Sequence, residues 1–191
     1  MAALPSAPRP PDDPIARRLP WLREWFVVPE SARPRLGAPG DAILAELADR
    51  WDAPGKLELL DALARWFGRA AVAAALEAVV AANIRRDGAA AARGRSARGP
   101  ADIARVVWDP LPAQGFEFTA ERGAECVRIR CTRCPHAELG RETGGSAWLF
   151  HLVCSGDGPM TEGFNPALAF HRTQTLMQGH SCCDHTYSLS A

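Results

Sequence analysis

The apolar residues of this chain change their period part-way along it, and that change limits the possible folds more than any other feature. Up to about residue 87 they recur every three to four positions, the spacing of a helix face. In "GDAILAELADRWDA" Ile43, Leu44, Leu47 and Trp51 share one side, with Asp41 as the expected N-cap. "GKLELLDALARWFG" repeats the pattern through Leu57, Leu60, Leu63, Ala64 and Phe67, with Gly68 as its stop. The alanine-rich "AAVAAALEAVVAANIRR" predicts a third helix closed by Gly88, and "PIARRLPWLREWFVVPE" a short one carrying Trp21, Trp25 and Phe26. Further on the period falls to two. "FEFTAE" and "ECVRIRC" read as strands joined by a turn at Gly123, with Val127 and Ile129 opposed to Cys126, Arg128 and Arg130. "TRCPHAELGRETG" predicts a loop and a short helix ending near Gly144, and "SAWLFHLVC" another helix. "GDGPMTEGFNP" reads as a loop, and "ALAFHRTQTLM" and "CCDHTYSLS" as two more strands joined through Gly179.

The expected fold class is therefore α+β: N-terminal helices packed with a small antiparallel sheet that carries a C-terminal site rich in Cys, His and Asp. The expected organisation is a flexible arm over residues 1–14, a helical region over 15–100 ending in a linker at 88–100, and an α+β module over 101–191. The 22 basic and 22 acidic residues cancel, so charge gives no reason to expect a nucleic acid or an acidic membrane as partner, even with arginines in the linker. The longest apolar stretch is interrupted by Glu77, and Asp12 and Asp13 stand where a secretory signal would have its apolar core. A cytoplasmic protein acting on a small molecule is expected.

Cytoplasmic thiols are usually reduced, so six cysteines point to chemistry or metal more than to a disulfide frame. All six cysteines and all five histidines lie after residue 125, so the C-terminal third must build any such site. Cys131 and Cys134 form a C-x-x-C, and with Cys183 and His185 they are the alternative reading, a zinc- or soft-metal-binding module. Against it, "CTRCPH" lacks tight glycine turns, and the adjacent Cys182 and Cys183 on a strand point to opposite faces. Alternation also puts His185 and Tyr187 on the face of Cys183. On the preceding strand it groups Arg172, Gln174 and Leu176 against His171, Thr173 and Thr175. A thiol beside histidine or arginine ionises more easily, and an arginine on a strand is shaped to hold a carboxylate. Asp157, Glu162 and Asn165 sit in the loop before this hairpin, where binding groups tend to lie. Cys154 and His151 on "WLFHLVC" read as packing residues, Cys126 as inert, and Cys131 and Cys182 as neighbours of the useful thiols.

Four blocks in this region resemble the L-2-amino-thiazoline-4-carboxylic acid hydrolase family. They are Cys134 with Ala137, Glu138, Leu139 and Gly140; Cys154 with Asp157; Asn165 with Pro166; and Arg172, Thr173 and Thr175 with Gly179, Cys183 and Asp184. The resemblance covers roughly residues 125 to 190, the fourth block being the most specific. It differs in placing His185 where an aromatic residue is expected and in adding Cys131 and Cys182. It implies a hydrolase, without cofactor or bound metal, that opens a cyclic, carboxylated, isothiourea-like ring at the carbon between nitrogen and sulfur. Cys134, Asp157 and Cys183 would then be catalytic, with Cys134 as nucleophile and Asp157 facing the protonated amidine. Arg172 would clamp the carboxylate, Asn165, Thr173, Thr175 and His185 would bind substrate, and His180 or His185 would shuttle a proton.

Overall fold

The structure, a computed structural model, describes residues 13–53 and 55–190. It divides into two compact units, the division falling within one helix between Ala75 and Leu76. Residues 1–12 of the expected arm lie outside the described residues. Asp13 and Pro14, counted with the arm, instead open a helix.

The first unit is helical. Asp13 caps α1 (Pro14–Arg18), its Oδ1 accepting from the amides of Ile15 at 2.8 Å and Ala16 at 3.2 Å. Helix α2 (Leu22–Phe26) is followed by α3 (Gly40–Arg50) and α4 (Lys56–Phe67). Ile43, Leu44 and Leu47 of α3 are buried, as their spacing predicts, and Phe26 stacks on Trp51 with ring centroids 4.3 Å apart. Asp41 is not the cap of α3. That helix begins one residue earlier, and Asp41 accepts instead from the Leu36 amide at 2.8 Å.

The second unit takes up the rest of α5 (Arg69–Ala92), which runs through Gly88 rather than ending there. A β-carbon on Gly88 would lie 2.5 Å from the Met160 carbonyl oxygen, and one on Gly163 only 2.1 Å from that of Arg85. Gly88 is thus a place where another backbone comes close, and the lost helix propensity of about 1 kcal/mol is offset by that approach. Between α5 and α6 (Pro100–Trp108) only residues 93–99 are left as connector.

Strands β1 (Glu117–Arg122) and β2 (Cys126–Arg133) pair antiparallel, and α7 (Pro135–Thr143) and α8 (Ser146–Leu152) follow. Gly144 closes α7 in the left-handed region, with φ +68°. Residues 157–164, expected as a loop, form α9 (Asp157–Phe164). Pro159 falls in its first turn, where no intrahelical donor is needed, and Gly163 is demanded by the contact with α5. Strand β3 (Leu168–His171) is shorter than predicted, because the Asp184 carboxylate draws the chain out of the sheet. The alternation expected over residues 172–176 therefore does not exist. Strand β4 (Cys183–Leu189) completes an antiparallel sheet in the order β1-β2-β4-β3.

One face of the sheet is buried. Val127, Ile129 and Cys131 of β2 and Cys183 and Tyr187 of β4 pack with Ile103, Ala104 and Trp108 of α6 and with Phe164 of α9. The Trp108 indole N–H donates to the Tyr187 hydroxyl at 3.0 Å, so both polar ends in this core are satisfied. Arg128 and Arg130 take the exposed face, as the period-two reading requires.

Candidate active site

The site grows from the buried face of β4. Cys183, His185 and Tyr187 alternate inward along it, with Asp184 and Thr186 turned the other way. Opposite Cys183 on β2 stands Cys131, and the amide of Leu176 donates to the Cys183 sulfur at 3.2 Å. The Cys183 thiol is pulled down to about 6, first by the hydrogen bond from Cys131. Burial opposes this, while the Leu176 amide and the positive charges of His185 and Arg172 add to it. Cys131 moves far up, since it donates to Cys183 and is itself buried.

Asp157, the first residue of α9, is the meeting point of two basic side chains. Arg172 Nη1 donates to Asp157 Oδ2, and also to the Cys154 carbonyl at 3.1 Å. His185 Nε2 lies 3.3 Å from the same Asp157 oxygen. The Arg172 guanidinium stands 5.7 Å from the ring centroid of Phe150 and 5.9 Å from that of Phe170. Only 5% of His185 is exposed, its ring packs at 4.7 Å against Trp108, and its Nδ1 has no hydrogen-bond partner among the described residues. Asp157 Oδ1 and Arg172 Nε and Nη2 likewise make no hydrogen bond among the described residues. The cluster therefore offers a bare carboxylate oxygen and a bare edge of a guanidinium side by side.

Cys134 occupies the N-cap position of α7 and is half-buried. Burial pushes its thiol up, against the amides of His136 and Ala137, and the charges of Cys183 and Asp157 push it further. Cys154 is also pushed up, by burial and then by Asp157. Cys134, Cys154 and Cys183 thus all lie within one electrostatic neighbourhood. The first two are held as thiols, and the third has the character of a thiolate.

Among the described residues no group of three or more His, Cys, Asp or Glu is placed to hold a metal ion. The alternative set of Cys131, Cys134, Cys183 and His185 does not assemble as ligands. Cys131 and Cys183 face each other across a strand pair, Cys134 starts a helix, and His185 turns its Nε2 to Asp157.

A family model described as L-2-amino-thiazoline-4-carboxylic acid hydrolase matches residues 55–187, well over half of the chain. The chain belongs to this family. No curated protein and no solved structure matches it. The family match starts long before the four blocks, so the matched residues include α4, α5 and α6 as well as the sheet.

The remaining block residues of this family member have other partners. Asn165 ends α9, donating to the Arg98 carbonyl at 2.9 Å and accepting from the Ala167 amide at 3.0 Å. Thr173 donates its hydroxyl to Asp184, whose other oxygen takes the amides of Thr173 at 2.9 Å and Gln174 at 2.8 Å. Thr175 is buried and caps the turn Leu176–Gln178, its Oγ1 accepting from the Gln178 amide at 3.1 Å. These side chains brace the segment that carries Arg172 and the Leu176 amide. Glu162 pairs with Arg85 at 2.7 Å, and His151 meets Glu77 at 2.8 Å. His171 and His180 are exposed. Phe150 and Phe170 were not read as site residues from sequence, and Cys131 was read only as a ligand of the alternative metal module or as a neighbour of the useful thiols. The alternation of β2 and β4 marks Cys131 as inward-facing, but its place opposite Cys183 needs the strand register.

Proposed function

We propose that this member of a hydrolase family opens a small ring that carries both a carboxylate and an amidine or isothiourea. The observation that carries the reading is the pair of free hydrogen-bonding edges at Asp157 and Arg172, tied through His185 to the face of β4 that carries Cys183. A protonated amidine matches Asp157 Oδ1, and a carboxylate matches the Nε/Nη2 edge of Arg172. One small molecule bearing both groups is held in a fixed orientation with its electrophilic carbon between them and the thiols.

Cys183 takes the attack in this reading, ahead of Cys134, because its sulfur already carries the charge a nucleophile needs. The thiolate adds to the ring carbon bonded to nitrogen and sulfur, and one ring bond to that carbon breaks. Cys134, kept protonated, supplies the proton to the departing atom. Water then adds to the same carbon, returning a proton to Cys134 and releasing Cys183 as thiolate. His185, held against Asp157, keeps that carboxylate oriented.

The test is steady-state turnover on a panel of 2-amino-thiazoline carboxylates and related cyclic amidines. Cys183→Ser and Asp157→Asn are each expected to lower kcat/KM by about a hundred-fold or more, with the fold intact by circular dichroism. Full turnover by both variants sinks the reading.

A further inference from the structure

We propose that Cys131, across the strand ladder from Cys183, is a positioning residue that holds Cys183 in its charged, reactive form. The inference deepens the reading of Cys183 as the attacking thiol and rests on it.

The two residues are register partners in the antiparallel β2–β4 pair, so their side chains leave the sheet on the same face, roughly 5 Å apart at Cβ. Both are buried, Cys131 at 1% exposure and Cys183 at 7%. A buried thiolate without donors is unfavourable; the Leu176 amide donates to the Cys183 sulfur at 3.2 Å, and the thiol of Cys131, its register partner, is placed to become a second donor. The surroundings of the two sulfurs differ. Cys183 shares the buried face of β4 with His185 and lies in the field of the Arg172 charge, and the raised thiols of Cys134 and Cys154 lie in its own field. Cys131 faces the Arg133 carbonyl at 3.1 Å, an acceptor, which favours keeping its own proton. That single proton has two acceptors to choose from, and the ionised sulfur is the stronger one. When Cys183 loses its proton, the Cys131 S–H turns from the Arg133 carbonyl to the Cys183 sulfur. No bond to carbon forms or breaks, and Cys131 never meets the substrate.

The test is alkylation by iodoacetamide across pH, with each cysteine read by peptide mass spectrometry, in the unmodified chain, Cys131→Ala and Cys131→Ser. In the unmodified chain Cys183 is expected to react with a midpoint near 6 and Cys131 not at all below pH 9. Alkylation of Cys131 ahead of Cys183 overturns the inference without recourse to any variant. In Cys131→Ala the midpoint is expected to rise by about one unit or more, roughly a five-fold loss of rate at pH 6. Cys131→Ser, whose hydroxyl also donates, is expected to recover part of the shift. A merely structural role for Cys131 would lower thermal stability and leave the midpoint in place, and an unchanged midpoint overturns the inference whatever the turnover. Full turnover in Cys183→Ser overturns the reading of the site whatever the midpoint, so the two failures are distinguishable.

Discussion

At the scale of single residues, the site depends on which groups hold charge. Cys183 has its folded pKa below that of an ordinary thiol, so its charged form is present above about pH 6 and is lost as pH falls through that value. The expected profile of kcat/KM therefore rises through about pH 6, well below where an unperturbed thiol would place the limb, and a limb near 8 or 9 would contradict it. Asp184 makes a second, independent case. Burial alone would raise its carboxyl, but the Thr173 hydroxyl and the amides of Gln174 and Thr173 hold it below the usual range. Its bracing of residues 172–174 is therefore complete at neutral pH and fails only in acid. Asp184→Asn is expected to speed amide exchange at Gln174 and to raise KM several-fold, because Arg172 stands at the start of the braced segment. Cys183, His185 and Tyr187 were legible from period-two alternation on β4 alone. The meeting of Asp157 with Arg172 was not, since local pattern carries no information about pairs brought together from α9 and from the end of β3.

At the scale of elements, composition misled where it reported contact instead of conformation. Gly158, Pro159 and Gly163 read as a loop, yet they lie in α9. Gly88 read as a helix stop, yet it lies inside α5. Gly88 and Gly163 mark the same crossing of these two helices, which no single-segment reading can see. Alanine normally favours a helix interior over glycine by about 1 kcal/mol. Here the sign is expected to invert. Gly163→Ala puts a methyl group 2.1 Å from the Arg85 carbonyl oxygen and should cost about 3 kcal/mol in a denaturant titration, and Gly88→Ala should also destabilise. Strand β3 fell short of its predicted length for a related reason. A carboxylate from another strand outbids the ladder for the amides at positions 173 and 174.

For the whole molecule, the α+β class and the order of helices before strands followed from the change of period, which depends only on which residues must be buried. The division between Ala75 and Leu76 left no such trace, because α5 runs through it with an unbroken alanine-rich pattern. No described helix is long and apolar enough to cross a membrane. With 22 basic residues against 22 acidic ones, repulsion between copies is least near neutrality. Solubility is expected to pass through a minimum near pH 7 and to rise on either side, as static light scattering would show. The sheet order carries one more consequence. Strand β4 lies between β2 and β3, although it is the last strand in the sequence. While the ribosome is still making the chain, Val127 and Ile129 wait without their central neighbour, and Cys183 and His185 do not yet exist. A product cut short before that strand loses the middle of its sheet together with Cys183 and His185, which leaves Val127 and Ile129 uncovered and the product open to proteolysis.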